Sequence, residues 1–483
     1  MASPTFSPAS DSPSGFASAS AATSAPATAP ASVSASGSTS ESAPGSTPGS
    51  APGSAPGPAG RPPLSVARGV ALYIGALLGP GLLLLPGLAA GLAGPASILA
   101  WAGLLGVSGL FALVFTALGT RLPDGGGVLA YATAGLGRRV GRAVGWCFLT
   151  AVVLGAPVVC LIGAGYVTAL TGGGREVTAL VAAGLLACVS GLTLAGARIG
   201  TAVQMVLVGL LLTVIVAAVA GSLHAARAAS WTPFAPHGWT AVGGAASVLM
   251  ISFVGWEAVA PLTQRLANPA RSLPRITAAT FAVTTVVYLA LACAVIAVLG
   301  PRADGPAPVA DLLRIAVGRS GPAIAAGAAV LLTLATVNAY FTGAAALAAH
   351  LRASRAVRAS SVAEELKSGA QSRTLTDARS RARVFFVYIA AAGIVELTAE
   401  AFGALDTDRM VTLPTSLFLV VYTGSTAAAT RLLHGPLRIA AALACVASVA
   451  VFAFSGVAVT VALLVAAAGL LWPTHPAHDG CTG

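Results

Sequence analysis

Residues 73–87 read Tyr73-Ile-Gly75-Ala-Leu-Leu-Gly79-Pro80-Gly81-Leu-Leu-Leu-Leu-Pro86-Gly87. The flanks are apolar enough to cross a membrane, yet Gly75, Gly79, Pro80 and Gly81 crowd the middle. Glycine loses the most backbone entropy in a helix, and proline removes a donor and clashes with the preceding turn. The pattern predicts a helix that breaks near mid-depth. In lipid, non-helical backbone survives only where it lines a cavity or is packed in protein. The segment Ile251-Ser252-Phe253-Val254-Gly255-Trp256-Glu257 has the same character, with a glycine close to an acidic residue.

The rest of the chain supports a bilayer as solvent. Hydrophobic residues make up 56% of the 483 and charged residues 8%, against about 25% charged in a soluble chain. So few charges cannot build a water-soluble surface. The net charge of +11 would suggest nucleic acid in a soluble protein. Here the basic residues lie between apolar segments, where they set orientation. Spans are expected at 69–92, 97–119, 142–170, 177–196, 199–222, 242–264, 275–299, 320–350, 383–398, 409–430, 436–455 and 457–472. The fold class is therefore an all-α membrane protein of about twelve transmembrane helices.

Residues 1–62 are almost entirely Ala, Ser, Pro, Gly and Thr. Such a tail buries too little apolar surface to fold and is expected to be disordered. No basic region precedes an apolar stretch there, so it does not read as a signal peptide. The transporter domain is expected over 66–472 and a short cytoplasmic tail over 473–483. With the N-terminus in the cytoplasm, 20 of the 26 basic residues fall on the inner side. Only Arg175, Arg227, Arg302, Arg314, Arg319 and Arg409 fall outside. That asymmetry is the positive-inside pattern, and it places both termini in the cytoplasm of a plasma-membrane protein.

The broken first and sixth spans hold the same place in two five-helix halves, 69–222 and 242–430, followed by extra helices over 436–472. Five is odd, so the second half runs with inverted topology. Paired breaks in inverted halves point to a substrate site. Unwound carbonyls can bind an ammonium group, and N–H groups at a half-helix N-terminus suit a carboxylate. A free amino acid carries both.

Few other polar residues lie within spans. Glu257 near mid-membrane reads as a proton-coupling or gating group, or as a carboxyl that braces the broken helix. Asn338 and Tyr340 are placed to contact a solute or to bond between helices, and Gln204 likewise. Trp101 and Trp472 read as interface anchors and Glu396 as interfacial. Glu400, Asp406 and Asp408 read as a solvated outer loop over 397–409. Cys147, Cys160, Cys188, Cys293 and Cys445 read as small apolar residues, with no disulfide framework. No metal site or cofactor motif is evident, and no His cluster, paired carboxylate or nucleophile motif lies within the spans, which argues against an enzyme.

These residues carry a resemblance to the amino acid–polyamine–organocation superfamily. The first span is similar to its G-[STA]-G motif. Arg121-Leu-Pro123-Asp124-Gly-Gly126-Gly127-Val-Leu-Ala-Tyr131 resembles its loop after helix 2. Phe253-Val-Gly255-Trp-Glu257-Ala258 resembles its helix 6, and Asn268-Pro269-Ala-Arg271-Ser-Leu-Pro274-Arg275 the loop that follows. Gly145-Trp146, Gly155-Ala-Pro157 and Asn338-Ala-Tyr340 look similar to bacterial exporters of methionine and branched-chain amino acids. The resemblance implies a five-plus-five inverted repeat with two added helices. It implies an ammonium contact at the carbonyls of Leu77, Ile251 and Val254, and a carboxylate contact at the N–H groups of Gly79, Gly81 and Leu82. Pro80 departs from the pattern by removing one donor. Ile251 stands where many relatives have an aromatic gate, which implies an occlusion that is looser or is moved to Phe253 or Trp256. Helix 5 lacks the lysine that some proton-coupled members use.

The function expected is secondary transport of neutral apolar amino acids, by export or exchange, with a proton as candidate coupling ion. Uptake of other amino acids or polyamines is the alternative. A solute sensor that does not transport is a second class, and flux in vesicles separates them.

Overall fold

A computed structural model of the protein describes residues 64–122, 127–195, 200–258, 262–263, 265–359 and 370–471, with backbone alone at 201, 345–359 and 370–385. The tail over 1–62, the tail over 473–483, Trp472, Asp124 and Gly126 lie outside the described residues.

Every regular element among the described residues is helical. The first half comprises α1 (Val66–Leu77), α2 (Gly81–Ala93), α3 (Ser97–Arg121), α4 (Gly127–Leu136), α5 (Arg138–Thr171), α6 (Arg175–Leu194) and α7 (Thr201–Ser222). The second comprises α8 (Thr240–Leu249) with two 3-10 turns after it, α9 (Pro269–Ala294), α10 (Pro308–Val317), α11 (Gly321–Ala359), α12 (Ala370–Ala401) and α13 (Thr407–Leu432). Two more helices follow, α14 (Pro436–Ala453) and α15 (Ala458–Leu471). The chain is an all-α membrane protein.

Among the described residues, nine segments are long and apolar enough to cross a bilayer. The twelve spans read from the sequence do not all meet that length. The first is divided into α1 and α2. The last, α15, has 14 residues and so rises about 21 Å against a hydrocarbon core of about 30 Å.

Two helices were not expected. The stretch after span 2 is helical from Gly127, and Tyr131 is fully buried. α10 occupies the equivalent place after α9. Each half therefore inserts one short helix between its second and third spans. The interval between the expected spans 320–350 and 383–398 is also shortened, because α11 runs to Ala359 and α12 begins at Ala370.

α5 is the hub, packed against α4, α6, α11, α12, α13 and α15. Small residues make these approaches close. A Cβ at Gly163 would lie 2.5 Å from the Thr333 hydroxyl, and one at Gly469 would lie 2.7 Å from Ala143 Cα. Leu180, Val206, Val286, Ile394 and Val446 point outward, more than half exposed, which suits a lipid-facing surface. Cys147 and Cys160 are buried as expected, whereas Cys188 is exposed on the outer face of α6.

Trp101 corrects an expectation. It is no interface anchor: it is fully buried, with its ring 5.1 Å from Tyr288 and 6.0 Å from Phe253. Its place near the start of a span hid the fact that its face of α3 points at the broken sixth span. Trp101→Ala should destabilise the protein by about 3–5 kcal/mol, read as a lower melting temperature in detergent micelles.

Candidate substrate site

The first break lies where the sequence put it. α1 ends at Leu77 and α2 restarts at Gly81, with Leu78, Gly79 and Pro80 between them. Pro80 is the residue before α2, at φ −62°. A fixed φ near this value suits a helix start, where an N–H would have no helical partner anyway. The proline therefore begins the second half-helix.

The second break follows α8. A 3-10 turn over Met250–Phe253 leads to an extended Val254, then Gly255 at φ +136° and a further turn at Trp256–Ala258. The two breaks touch at Gly255. A Cβ there would stand 2.6 Å from the Ala76 carbonyl oxygen and 3.3 Å from Leu77 Cα. Both the positive φ and this backbone contact require glycine.

Side chains from other helices satisfy much of the exposed backbone. The Tyr288 hydroxyl of α9 lies 2.6 Å from the Ser252 carbonyl and 3.2 Å from the Leu77 carbonyl, joining the two breaks. Tyr73 donates to the Trp256 carbonyl at 2.8 Å. Gln204 of α7 donates to the Gly75 carbonyl at 3.4 Å. The Tyr422 hydroxyl of α13 accepts from the N–H groups of Gly255 and Trp256 and donates to Glu257 Oε2 at 2.6 Å. Glu257 Oε2 also accepts from Gly255 N–H at 2.9 Å. Glu257 thus braces the break, the structural half of the two roles its position suggested.

A cavity opens on the other side of the breaks. Leu77, Gly79, Pro80, Gly81 and Leu82 line it from the first break. Ile251, Ser252 and Val254 line it from the second. Val158, Val159 and Ile162 of α5, Thr336 and Tyr340 of α11 and Val411 of α13 complete most of the wall. It holds about 30 Å³, room for about two waters, so an amino acid enters only if the walls part. No charged side chain lines it. The Ser252 hydroxyl is buried without a hydrogen-bond partner among the described residues.

Four expected residues lie elsewhere. Phe253 packs against Trp101 and Tyr288 behind the break. Asn338 donates to Thr193 of α6 at 3.2 Å; Thr336 and Tyr340, one turn apart, share the cavity-facing side of α11 instead. Trp256 is fully buried and donates from its indole to Ser108 of α3 at 2.8 Å. Glu257, as described, faces Tyr422. Sequence reading missed the α5 wall and the tyrosine clasps. An apolar stretch such as Val158-Val159 carries no local mark distinguishing cavity from core.

An all-α membrane protein with a closed polar-backbone cavity between two broken helices is built as a permease. The chain belongs to the amino acid permease family, whose sequence profile matches residues 64–373. It is 28% identical over 411 residues to the uncharacterized amino acid permease YecA of Bacillus subtilis, covering 84% of this chain and 94% of that protein. It is 36% identical over 216 residues to the L-methionine/branched-chain amino acid exporter YjeH of Escherichia coli, covering 44% of this chain and 51% of the exporter. The branched-chain amino acid permease BcaP of Bacillus subtilis is 26% identical over 237 residues, 45% of this chain and 51% of that protein.

Gly255→Ala should force the breaks apart and cut transport by more than about tenfold, since a misplacement of about 1 Å in a positioned site is costly. Tyr422→Phe should leave the Trp256 N–H short of an acceptor and take away the hydroxyl that donates to Glu257, while the Gly255 N–H keeps Glu257 Oε2. That should lower stability by about 1–3 kcal/mol, measured by thermal denaturation of purified protein.

Proposed function

We propose that this permease carries neutral apolar amino acids across the plasma membrane, by export or exchange, with both termini in the cytoplasm. The observation that carries the reading is the cavity wall: backbone polar groups from two breaks, apolar side chains, and no charged residue. A charged solute side chain would be buried there without a partner, at high cost. An apolar one gains from the valine and leucine lining.

The zwitterion itself meets backbone. The Leu77 carbonyl already accepts from Gly79 N–H and from Tyr288. The Ile251 carbonyl holds only a 3.3 Å bond from Val254 N–H, so the ammonium leans on Ile251 and Val254. Of the three expected carboxylate donors, Gly79 N–H points to Leu77 and Leu82 N–H to Gly79. Gly81 N–H, in the first turn of α2, is the donor left for the carboxylate, helped by the helix dipole. The Ser252 hydroxyl adds a polar contact. Glu257 and Trp256 act as a gate by locking the second break through Tyr422 and Ser108. The likenesses to a methionine and branched-chain exporter and to a branched-chain permease support the same substrate class.

The test is counterflow in proteoliposomes. Vesicles preloaded with leucine, isoleucine, valine or methionine should accumulate labelled leucine, and vesicles preloaded with arginine, glutamate or putrescine should not. Counterflow driven only by charged solutes would overturn the substrate class. Binding without flux would make the protein a sensor. Gly81→Val should abolish exchange, because its side chain enters the cavity and meets only flexible Leu85 on its own helix. Glu257→Gln should retain exchange, since an amide oxygen can accept the same two bonds, whereas Glu257→Ala should lose it.

A further inference from the structure

The buried stripe of α12 is Ile389, Gly393, Glu396, Leu397 and Glu400. It packs against α5 and α6. Gly393 sets the closeness: a Cβ there would stand 2.7 Å from Leu186 of α6 and 3.7 Å from Pro157 of α5. The facing stripe of α6 is Ala179, Ala182, Leu186 and Val189, mostly small. Into this apolar seam project two carboxyls one helical turn apart.

Glu396 was expected at the membrane interface and is instead 5% exposed. Neither of its carboxyl oxygens has a hydrogen-bond partner among the described residues. Glu400 is 7% exposed and its Oε2 is likewise unpartnered among the described residues. The solvated loop expected over 397–409 is thus shorter, because α12 continues to Ala401 and α13 starts at Thr407.

The charged neighbours are few. α6 offers Arg175 and the exposed Glu176 in its first turn. Arg175 is paired with Asp406 at 3.6 Å. Asp406, Asp408 and Arg409 belong to the loop and the start of α13. α5 has no charged residue between Arg142 and its end at Thr171. Its Cys160 is a buried thiol, and its Tyr166 hydroxyl is taken by the Leu83 carbonyl on the opposite side. Among the described residues no cation therefore reaches Glu396, and an ionised carboxylate at that position would be unpaired. Intramembrane carboxyls of this kind mark ion pathways.

We propose that Glu396 and Glu400 form a proton-binding site in the seam between α12, α5 and α6, separate from the substrate cavity. The proton enters from the bundle end where Arg175 and Asp406 lie. A hydronium ion gives its proton to a Glu400 carboxylate oxygen and leaves as water. Glu400 then passes that proton to a Glu396 carboxylate oxygen and returns to its ionised form. Occupied, Glu396 is neutral and α12 packs closely on α5. Empty, the charge on Glu396 loosens that packing. α5 carries the difference to transport, because Val158 and Val159, beside Pro157, line the substrate cavity.

The full chain in lipid vesicles tests this in two ways. Infrared difference spectra between acid and alkaline buffer should show a carboxylic C=O stretch that disappears in Glu396→Gln; this readout does not depend on which solute is carried. Leucine counterflow by the unmodified protein should vary with pH by up to about tenfold per unit, the limit for one linked proton. Glu396→Gln carries a neutral amide, so it should hold at every pH the rate that the unmodified protein reaches only in acid. Glu400→Gln should slow proton exchange of the C=O band without removing it. An unchanged band and an unchanged pH profile in Glu396→Gln would overturn the site. If Glu396→Gln does not fold, the same two readouts on Glu396→Asp decide: a shifted band supports the site, an unshifted one overturns it.

Discussion

The obligation to satisfy backbone groups away from water governs this structure. An intact helix meets it unaided, but a helix interrupted in a bilayer must find partners for each freed N–H and carbonyl. This protein meets it twice, at Leu78–Pro80 and at Val254–Gly255. Each interruption uses the other. Gly255 lies against the Ala76 carbonyl, and tyrosines from α1, α9 and α13 supply hydroxyls where helical bonds are missing. The cavity is the place where that repair is left incomplete. Its polar character comes from peptide groups, and valine, leucine and isoleucine side chains make up most of the apolar wall around them.

The breaks were legible because glycine and proline act locally. Gly79-Pro80-Gly81 and the lone Gly255 mark positions that no helix tolerates cheaply, and periodicity does the rest for the spans. The tyrosine clasps were not legible. Tyr288 is 36 residues from its partner Ser252 and 211 from Leu77, so nothing near it in sequence announces the contact. Helical phase explains why the expected Tyr340 and the unexpected Thr336 line the cavity while Asn338 does not: a position assigned to the right helix can still face the wrong neighbour. Trp101 and Glu396 show a related limit. Both sit near span ends, where amphipathic and charged residues commonly meet water, and both turn inward because other helices extend past them.

α4 and α10 escaped sequence reading for another reason. Each is 10 residues long, too short to span and too apolar to look like a loop. Each follows a long helix, α4 after α3 and α10 after α9, a correspondence clearer in the order of elements than in the residues.

The hydroxyl of Tyr288 has a single hydrogen and two claimants, one carbonyl from each half of the molecule. Alternating access requires those halves to rock against each other. On separation, the phenol stays with Ser252, its nearer claimant, and the Leu77 carbonyl is released to whatever water or solute enters. The shared proton therefore works as a weak clasp. Opening it forfeits less than one net hydrogen bond, about 0.5–1.5 kcal/mol, the least costly of the contacts that join the two breaks.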